Sequence, residues 1–324
     1  MPTWSEILSE LMVSGQGGPP QLDLVRRKYI VRLHQLTSRN VILYASKWTQ
    51  PGAGIAPELL SICEEDLQGL MEVTHGLSGP NLDLILHSPG GSAEAAEALV
   101  QYLRSKFSHI RVVVPQSAMS AATMMACAAD VILMGKHSFL GPIDPQLFIN
   151  TSLGGRMVAA QAILEQFSRA KSECTQPENM GAWLPMLSQY GPDLLVTCKN
   201  ACDLSRDLVQ GWLEKYMFST DPGRVDKATR LAEWLSTHSN FKSHGRHIAR
   251  TEARNQGLNI EDLEANQNIQ DAVLSVFHAT THTFGMTGAV KIIENQLGKA
   301  FIKAAQVFLP APPVPPVPQP PAPP

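Results

Sequence analysis

Apolar and polar positions follow two periods along this chain, and each change of period marks an element. Leu22, Val25, Tyr29, Leu33 and Leu36 recur at helical spacing among basic residues, so the chain to about residue 37 reads as mostly helical, broken at Gly15-Gln16-Gly17-Gly18-Pro19-Pro20. Residues 39–45 read as a strand. After Pro51-Gly52-Ala53-Gly54 the apolar positions Ile55, Leu59, Ile62, Leu67, Leu70 and Met71 return to helical spacing. Strand and helix then alternate: strand at 82–86, helix at 93–106, strand at 111–114, helix at 120–129, strand at 131–134. This alternation predicts an α/β fold, a mainly parallel sheet with repeated strand-helix crossovers. The runs Val112-Val113-Val114 and Val131-Ile132-Leu133 suit strands covered on both faces. Gly154-Gly155, Pro177, Gly181 and Pro185 interrupt a helical patch near 158–167. Further helices are predicted at about 193–218, from the Asp221-Pro222-Gly223 break to about 235, at 252–258 and at 269–297.

In such sheets ligands sit at the carboxyl ends of strands. Two features follow strand ends here: the glycine turn Ser88-Pro89-Gly90-Gly91-Ser92, and Ser120 at the start of a small-residue helix. A glycine turn and a helix start both present backbone N–H groups to an oxyanion, and a serine beside them suggests acyl transfer. The competing role for Ser120 is an N-cap. Asp144, between Ile143 and Pro145, is expected to accept backbone N–H groups. Asp130 is expected to be structural, and His87 either lines the cleft or makes a hydrogen bond at a strand end. His278 and His282 share a helical face without a third ligand and read as surface histidines.

Composition narrows the class. The chain has 324 residues, 44% of them hydrophobic, and a formal net charge of −3. That is enough for a substantial core, and too little positive charge for a nucleic-acid or anionic-lipid surface. Five cysteines, Cys63, Cys127, Cys174, Cys198 and Cys202, are odd in number and suit free thiols in a reducing compartment. Cys198 and Cys202 lie one helical turn apart, with no partners identified for a metal. The N-terminal residues lack the basic and apolar regions of a signal peptide, so a cytoplasmic location is expected. Residues 117–134 come nearest to a membrane span but contain Asp130 and fall short of one. No cofactor is expected, since no phosphate-cradling Gly-x-x-x-x-Gly-Lys occurs. The proline-rich end, 308–324, is expected to be an extended tail, solvated or bound in an aromatic groove of a partner.

His87-Ser88-Pro89-Gly90-Gly91-Ser92, Ala118-Met119-Ser120-Ala121-Ala122 and Gly141-Pro142-Ile143-Asp144-Pro145-Gln146, in that order, resemble the serine dehydrogenase proteinase family of the Clp/crotonase superfamily. Relatives there are signal peptide peptidase A and the Clp protease proteolytic subunit. Thr251-Glu252-Ala253-Arg254-Asn255-Gln256-Gly257-Leu258 resembles the family's later Glu-Ala-x-x-x-Gly-Leu segment more weakly. The resemblance implies a serine peptidase, homo-oligomeric and acting on a peptide or protein. Its nucleophile would be Ser120, with the N–H groups of Gly91 and Ala121 as oxyanion hole. With the helical pattern before these motifs and the prolines after them, the chain divides into a helical extension at 1–38, a peptidase domain at 39–307 and the tail at 308–324. The base is open. The position matching the Clp histidine is Ile143, and the position matching the Clp acid is Gly245. Lys199 corresponds to the lysine of signal peptide peptidases, while His244 and His247 compete with it, with no carboxylate evident to orient either ring. Two other functions fit the same fold: a crotonase-type acyl-CoA enzyme using Glu94 or Glu97, and an inactive scaffold that recruits partners through its tail.

Overall fold

In the computed structural model, residues 2–305 are described apart from 51, 53, 152 and 153; the expected tail lies outside them. The strands are β1 (Asn40–Ser46), β2 (Asn81–His87), β3 (His109–Val114), β4 (Ser117–Ala118), β5 (Val131–Met134), β6 (Phe139–Leu140), β7 (Gln146–Thr151), β8 (Gly154–Ala159), β9 (Ile248–Ala249), β10 (Ile260–Asp262), β11 (Ala289–Asn295) and β12 (Ala300–Ala304). The helices are α1 (Trp4–Ser14), α2 (Leu22–Thr37), α3 (Pro57–Leu60), α4 (Asp66–Thr74), α5 (Ala93–Lys106), α6 (Ala121–Cys127), α7 (Ala160–Glu173), α8 (Pro177–Leu187), α9 (Leu194–Trp212), α10 (Arg224–Ser236), α11 (His238–Phe241), α12 (Arg250–Asn255) and α13 (Gln267–Met286).

Seven strands form the main sheet in the order β10-β5-β3-β2-β1-β11-β12. The five from β10 to β1 run parallel, while β11 and β12 are antiparallel to their neighbours. Every residue of β1 and β5 is buried, as covered parallel strands require. Side chains alternate between two cores. Tyr44, Leu84, Leu86, Val112 and Val114 enter one, with Leu70, Leu99, Met125, Val209 and Leu231 from α4, α5, α6, α9 and α10. Leu43, Ala45, Ile85, Val113 and Leu133 enter the other, with Ile7, Leu11, Ile30 and Leu33 from α1 and α2 and Val273 and Val276 from α13.

Two expectations are corrected. The helix expected over 269–297 ends at Met286, and after Thr287-Gly288 the chain becomes strand β11, buried at all seven positions. Its β-branched Val290, Ile292 and Ile293 suit a pleated, covered surface better than a helix. The helical patch expected near 158–167 starts only at Ala160 as α7, since residues 154–159 are strand β8 of the β7–β8 hairpin, and α8 follows it. No described helix is long and apolar enough to cross a membrane.

Candidate active site

The glycine turn is bound on both sides by backbone. The Ser88 N–H donates to Ser117 and its carbonyl accepts from the Met119 N–H, which ties the end of β2 to β4. On the other side the Ile62 N–H donates to Gly90 at 2.7 Å, and the Ser92 N–H donates to Ile62 at 3.1 Å. In this parallel pairing the ladder bonds belong to Gly90 and Ser92, so the intervening Gly91 N–H points away from Ile62 and has no partner among the described residues. Both glycines are obligatory. Gly91 has φ of 152°, and a Cβ there would lie 2.3 Å from the Ile62 carbonyl oxygen. At Gly90, with φ of 98°, a Cβ would lie 2.6 Å from the Cβ of Ser120. The turn therefore packs directly against residue 120, although 29 positions separate Gly91 from it in the chain.

Ser120 takes φ of 51° and ψ of −121°, a conformation that L-residues rarely adopt, and its side chain makes no capping hydrogen bond. Ser120 thus stands at the N-cap position of α6 without capping it through its side chain. Strained serines at strand-to-helix turns hold their hydroxyl clear of the backbone. The following N–H, that of Ala121, lies in the first turn of α6 and has no protein acceptor among the described residues. Thr123 anchors this helix start: its hydroxyl donates to Ala118 at 2.8 Å and accepts the Gly141 N–H at 2.9 Å. That second bond brings in the 141–145 turn, which the Ile143 N–H fastens to the end of α10 through the Leu235 carbonyl.

The turn delivers Asp144, only 1% exposed, to two imidazoles. His244 Nδ1 lies 2.7 Å from Oδ1 and His238 Nδ1 lies 2.7 Å from Oδ2. This corrects two expectations: Asp144 serves side chains rather than backbone N–H groups, and a carboxylate does orient His244. Ser120, Gly91, Ala121 and His244 all line one cleft of about 590 Å³, walled by Met124, Ile143 and Leu147 and by Ala201, Leu204 and Ser205 of α9. His238 entered no reading of the sequence. Its partner lies 94 positions away, and a lone histidine near a helix start carries no signal of such a contact.

The other candidates fall elsewhere. Lys199 is on the outer face of α9, its ammonium exposed and paired with Asp203 at 2.8 Å, while Ala201 of the same helix faces the cleft. His247 is exposed and lies against the Phe139 ring. His87 is buried between Trp48 and Phe277, and neither ring nitrogen has a hydrogen-bond partner of good geometry among the described residues. Burial pushes its pKa down to about 4, against a smaller opposing pull from the Ser117 backbone. His282 is no surface histidine: it is buried, with Nε2 on the Trp4 carbonyl at 3.0 Å. Glu94 lines the cleft and accepts from the Ser92 hydroxyl at 2.8 Å. Asp130 accepts from Arg104 and from the Ile110 N–H. Burial raises the Cys198 and Cys202 thiols, the latter to about 11, and the described residues contain no group of three or more His, Cys, Asp or Glu that could hold a metal.

Similar chains occur among known proteins. An uncharacterized protein of Methanocaldococcus jannaschii, MJ0137, is 32% identical over 145 residues, 44% of this chain and 51% of that one. A second from the same organism, MJ1495, is 38% identical over 99 residues, 31% of each chain. The chain thus spans about half the length of the first and a third of the second. Among solved structures, a serine-to-alanine mutant of the 1510-N membrane-bound stomatin-specific protease is 16% identical, with a TM-score of 0.35 over 62% of this chain and 74% of that one. The family model described as ClpP-like SDH-type serine proteinase matches residues 21–174, a stretch that contains the glycine turn, Ser120 and Asp144. Over that segment, a little under half of its length, the chain is similar to the ClpP-like SDH-type serine proteinases.

Proposed function

We propose that the protein is a serine peptidase that works through an acyl-enzyme on Ser120, with His244 as general base and Asp144 as its orienting acid. The observation that carries this reading is the 2.7 Å contact between His244 Nδ1 and Asp144 Oδ1, beside a cleft that His244 shares with Ser120. A carboxylate only accepts, so Nδ1 must carry the proton, which leaves the Nε2 lone pair to take the proton of Ser120. Ser120 Oγ then bonds to the scissile carbonyl carbon, and the carbonyl oxygen gains charge next to the unpartnered N–H groups of Gly91 and Ala121. Each such donor is typically worth about 3 kcal/mol at the transition state. The imidazolium returns its proton to the leaving amine, and water repeats the cycle on the acyl-enzyme. The exposed ammonium of Lys199 is paired with Asp203 and does not line the cleft that holds Ser120.

Fluorophosphonate labelling and casein hydrolysis test this reading. Ser120→Ala is expected to abolish both, His244→Ala to lower both by roughly 10³-fold or more, and Lys199→Ala to leave both unchanged. An acyl-CoA turnover that survives Ser120→Ala would favour the crotonase-type chemistry instead.

A further inference from the structure

Only one oxygen of the Asp144 carboxylate serves His244; the other is held as well. His238, the first residue of α11, places Nδ1 2.7 Å from Oδ2, and Gln146 Nε2 reaches the same oxygen at 3.0 Å. We propose that His238 is a positioning residue for the peptidase reaction, a donor that fixes the Asp144 carboxylate so that its other oxygen stays on His244; this rests on His244 being the base.

The carboxylate torsion of an aspartate is broad and roughly two-fold, so an unanchored Asp144 can turn either oxygen to His244 or rotate out of line with it. Two donors on opposite oxygens remove that freedom. Gln146 is the weaker anchor, since the same amide also lies 3.4 Å and 3.5 Å from two backbone carbonyls. The His238 backbone is itself held, its amide N–H donating to Gln161 Oε1 at 2.6 Å. One turn of helix and the left-handed Lys242, with φ of 62°, bring residues 238 and 244 round to the same carboxylate. Both rings donate through Nδ1, so each ring in its neutral form carries its lone pair on Nε2. Only the His244 ring lines the cleft with Ser120, which makes His238 an anchor rather than a second base.

The test uses the full chain and follows fluorophosphonate labelling of Ser120, separating the maximal rate from the concentration for half-maximal rate. His238→Ala is expected to lower the maximal rate about 10- to 100-fold, the usual cost of losing an outer orienting group, with the half-maximal concentration unchanged. His238→Asn keeps an N–H donor near the position of Nδ1 and is expected to restore most of the rate. Proton spectra give a readout independent of reactivity: wild type should show two far-downfield Nδ1–H signals, and His238→Ala should lose one and shift the other. Wild-type labelling in His238→Ala, with His244→Ala inactive, overturns the inference alone. So does a folded His238→Asn as impaired as the alanine variant. Undiminished labelling in His244→Ala removes the base assignment, and the inference with it. Should His238→Ala fail to fold, the asparagine variant and the two wild-type signals decide.

Discussion

Ser120 sits at φ of 51° with a side chain, a conformation that costs about 1–3 kcal/mol when the surroundings enforce it. The Gly90 contact and the Thr123 hydrogen bonds do the enforcing. Ser120→Gly should therefore raise stability by about 1 kcal/mol in urea unfolding, since relief of strain exceeds the glycine's added freedom in the unfolded chain, while labelling disappears. A destabilised glycine variant would mean that the backbone there is unstrained. Gly91→Ala is expected to do the opposite, losing both stability and activity, because its Cβ meets Ile62 backbone that cannot give way. His87 adds a pH dependence. Its folded pKa of about 4 lies below the unfolded value, so the unfolded state binds more protons between roughly pH 6.5 and 4. Stability from this residue is complete above that window and falls by up to about 1.4 kcal/mol per pH unit within it. His87→Phe keeps the aromatic packing, removes two unpaired nitrogens, and should flatten the curve of urea midpoint against pH. Equal slopes for the two proteins would sink this account.

At the scale of elements, β11 shows where local pattern stops being readable. Lys291 lies in the middle of this strand, fully buried, with its ammonium 2.7 Å from the equally buried Asp66 of α4. A lysine among apolar residues suggests a solvent-facing helix position, and nothing nearby in the sequence announces a partner 225 positions away. Lys291→Met should cost about 3–5 kcal/mol, as expected when one member of a buried pair is removed; among the described residues Asp66 would keep the Tyr44 hydroxyl, the Cys63 N–H and the more distant Lys303. Adding Asp66→Asn should recover most of that loss in a double-mutant cycle, and additive losses would show the pair to be uncoupled. Where period, turn residue and helix start all lie within a few positions, as from β2 to β5, the sequence is legible, and Gly91 and Ser120 could be placed there. The Asp144–His244 contact joins residues 100 positions apart on two loops, so neither residue alone reveals it. An Asp-Pro turn and a His-Gly pair were visible, but only the fold brings them together.

For the whole molecule, the question is whether α1 and the chain to residue 38 form a dispensable extension. Their side chains argue otherwise. Ile7, Leu11, Val25, Ile30 and Leu33 share one core with Leu43, Ala45, Ile85 and Val113 of the sheet and with Val276 of α13. Arg26 is fully buried and donates from Nε to Glu294 of β11, also fully buried, at 2.5 Å, while its Nη1 donates to the Thr283 hydroxyl of α13 at 2.9 Å. Deletion of residues 1–38 would uncover this face of the sheet and leave a carboxylate in an apolar site without its buried cation, a change costing several kcal/mol on its own. The family match begins at residue 21, at the start of α2, so the second helix travels with the matched segment rather than with an appendage. The expected outcome is a truncated protein that binds a hydrophobic dye, aggregates, and fails to label with fluorophosphonate, although every residue lining the cleft remains. Glu294→Gln in the full chain separates the two contributions: it removes the charge and keeps the apolar cover, and should lose stability while still labelling. A truncated chain that keeps the oligomeric state and the labelling of the full chain would instead make residues 39–305 a self-sufficient unit and the two helices an addition to it.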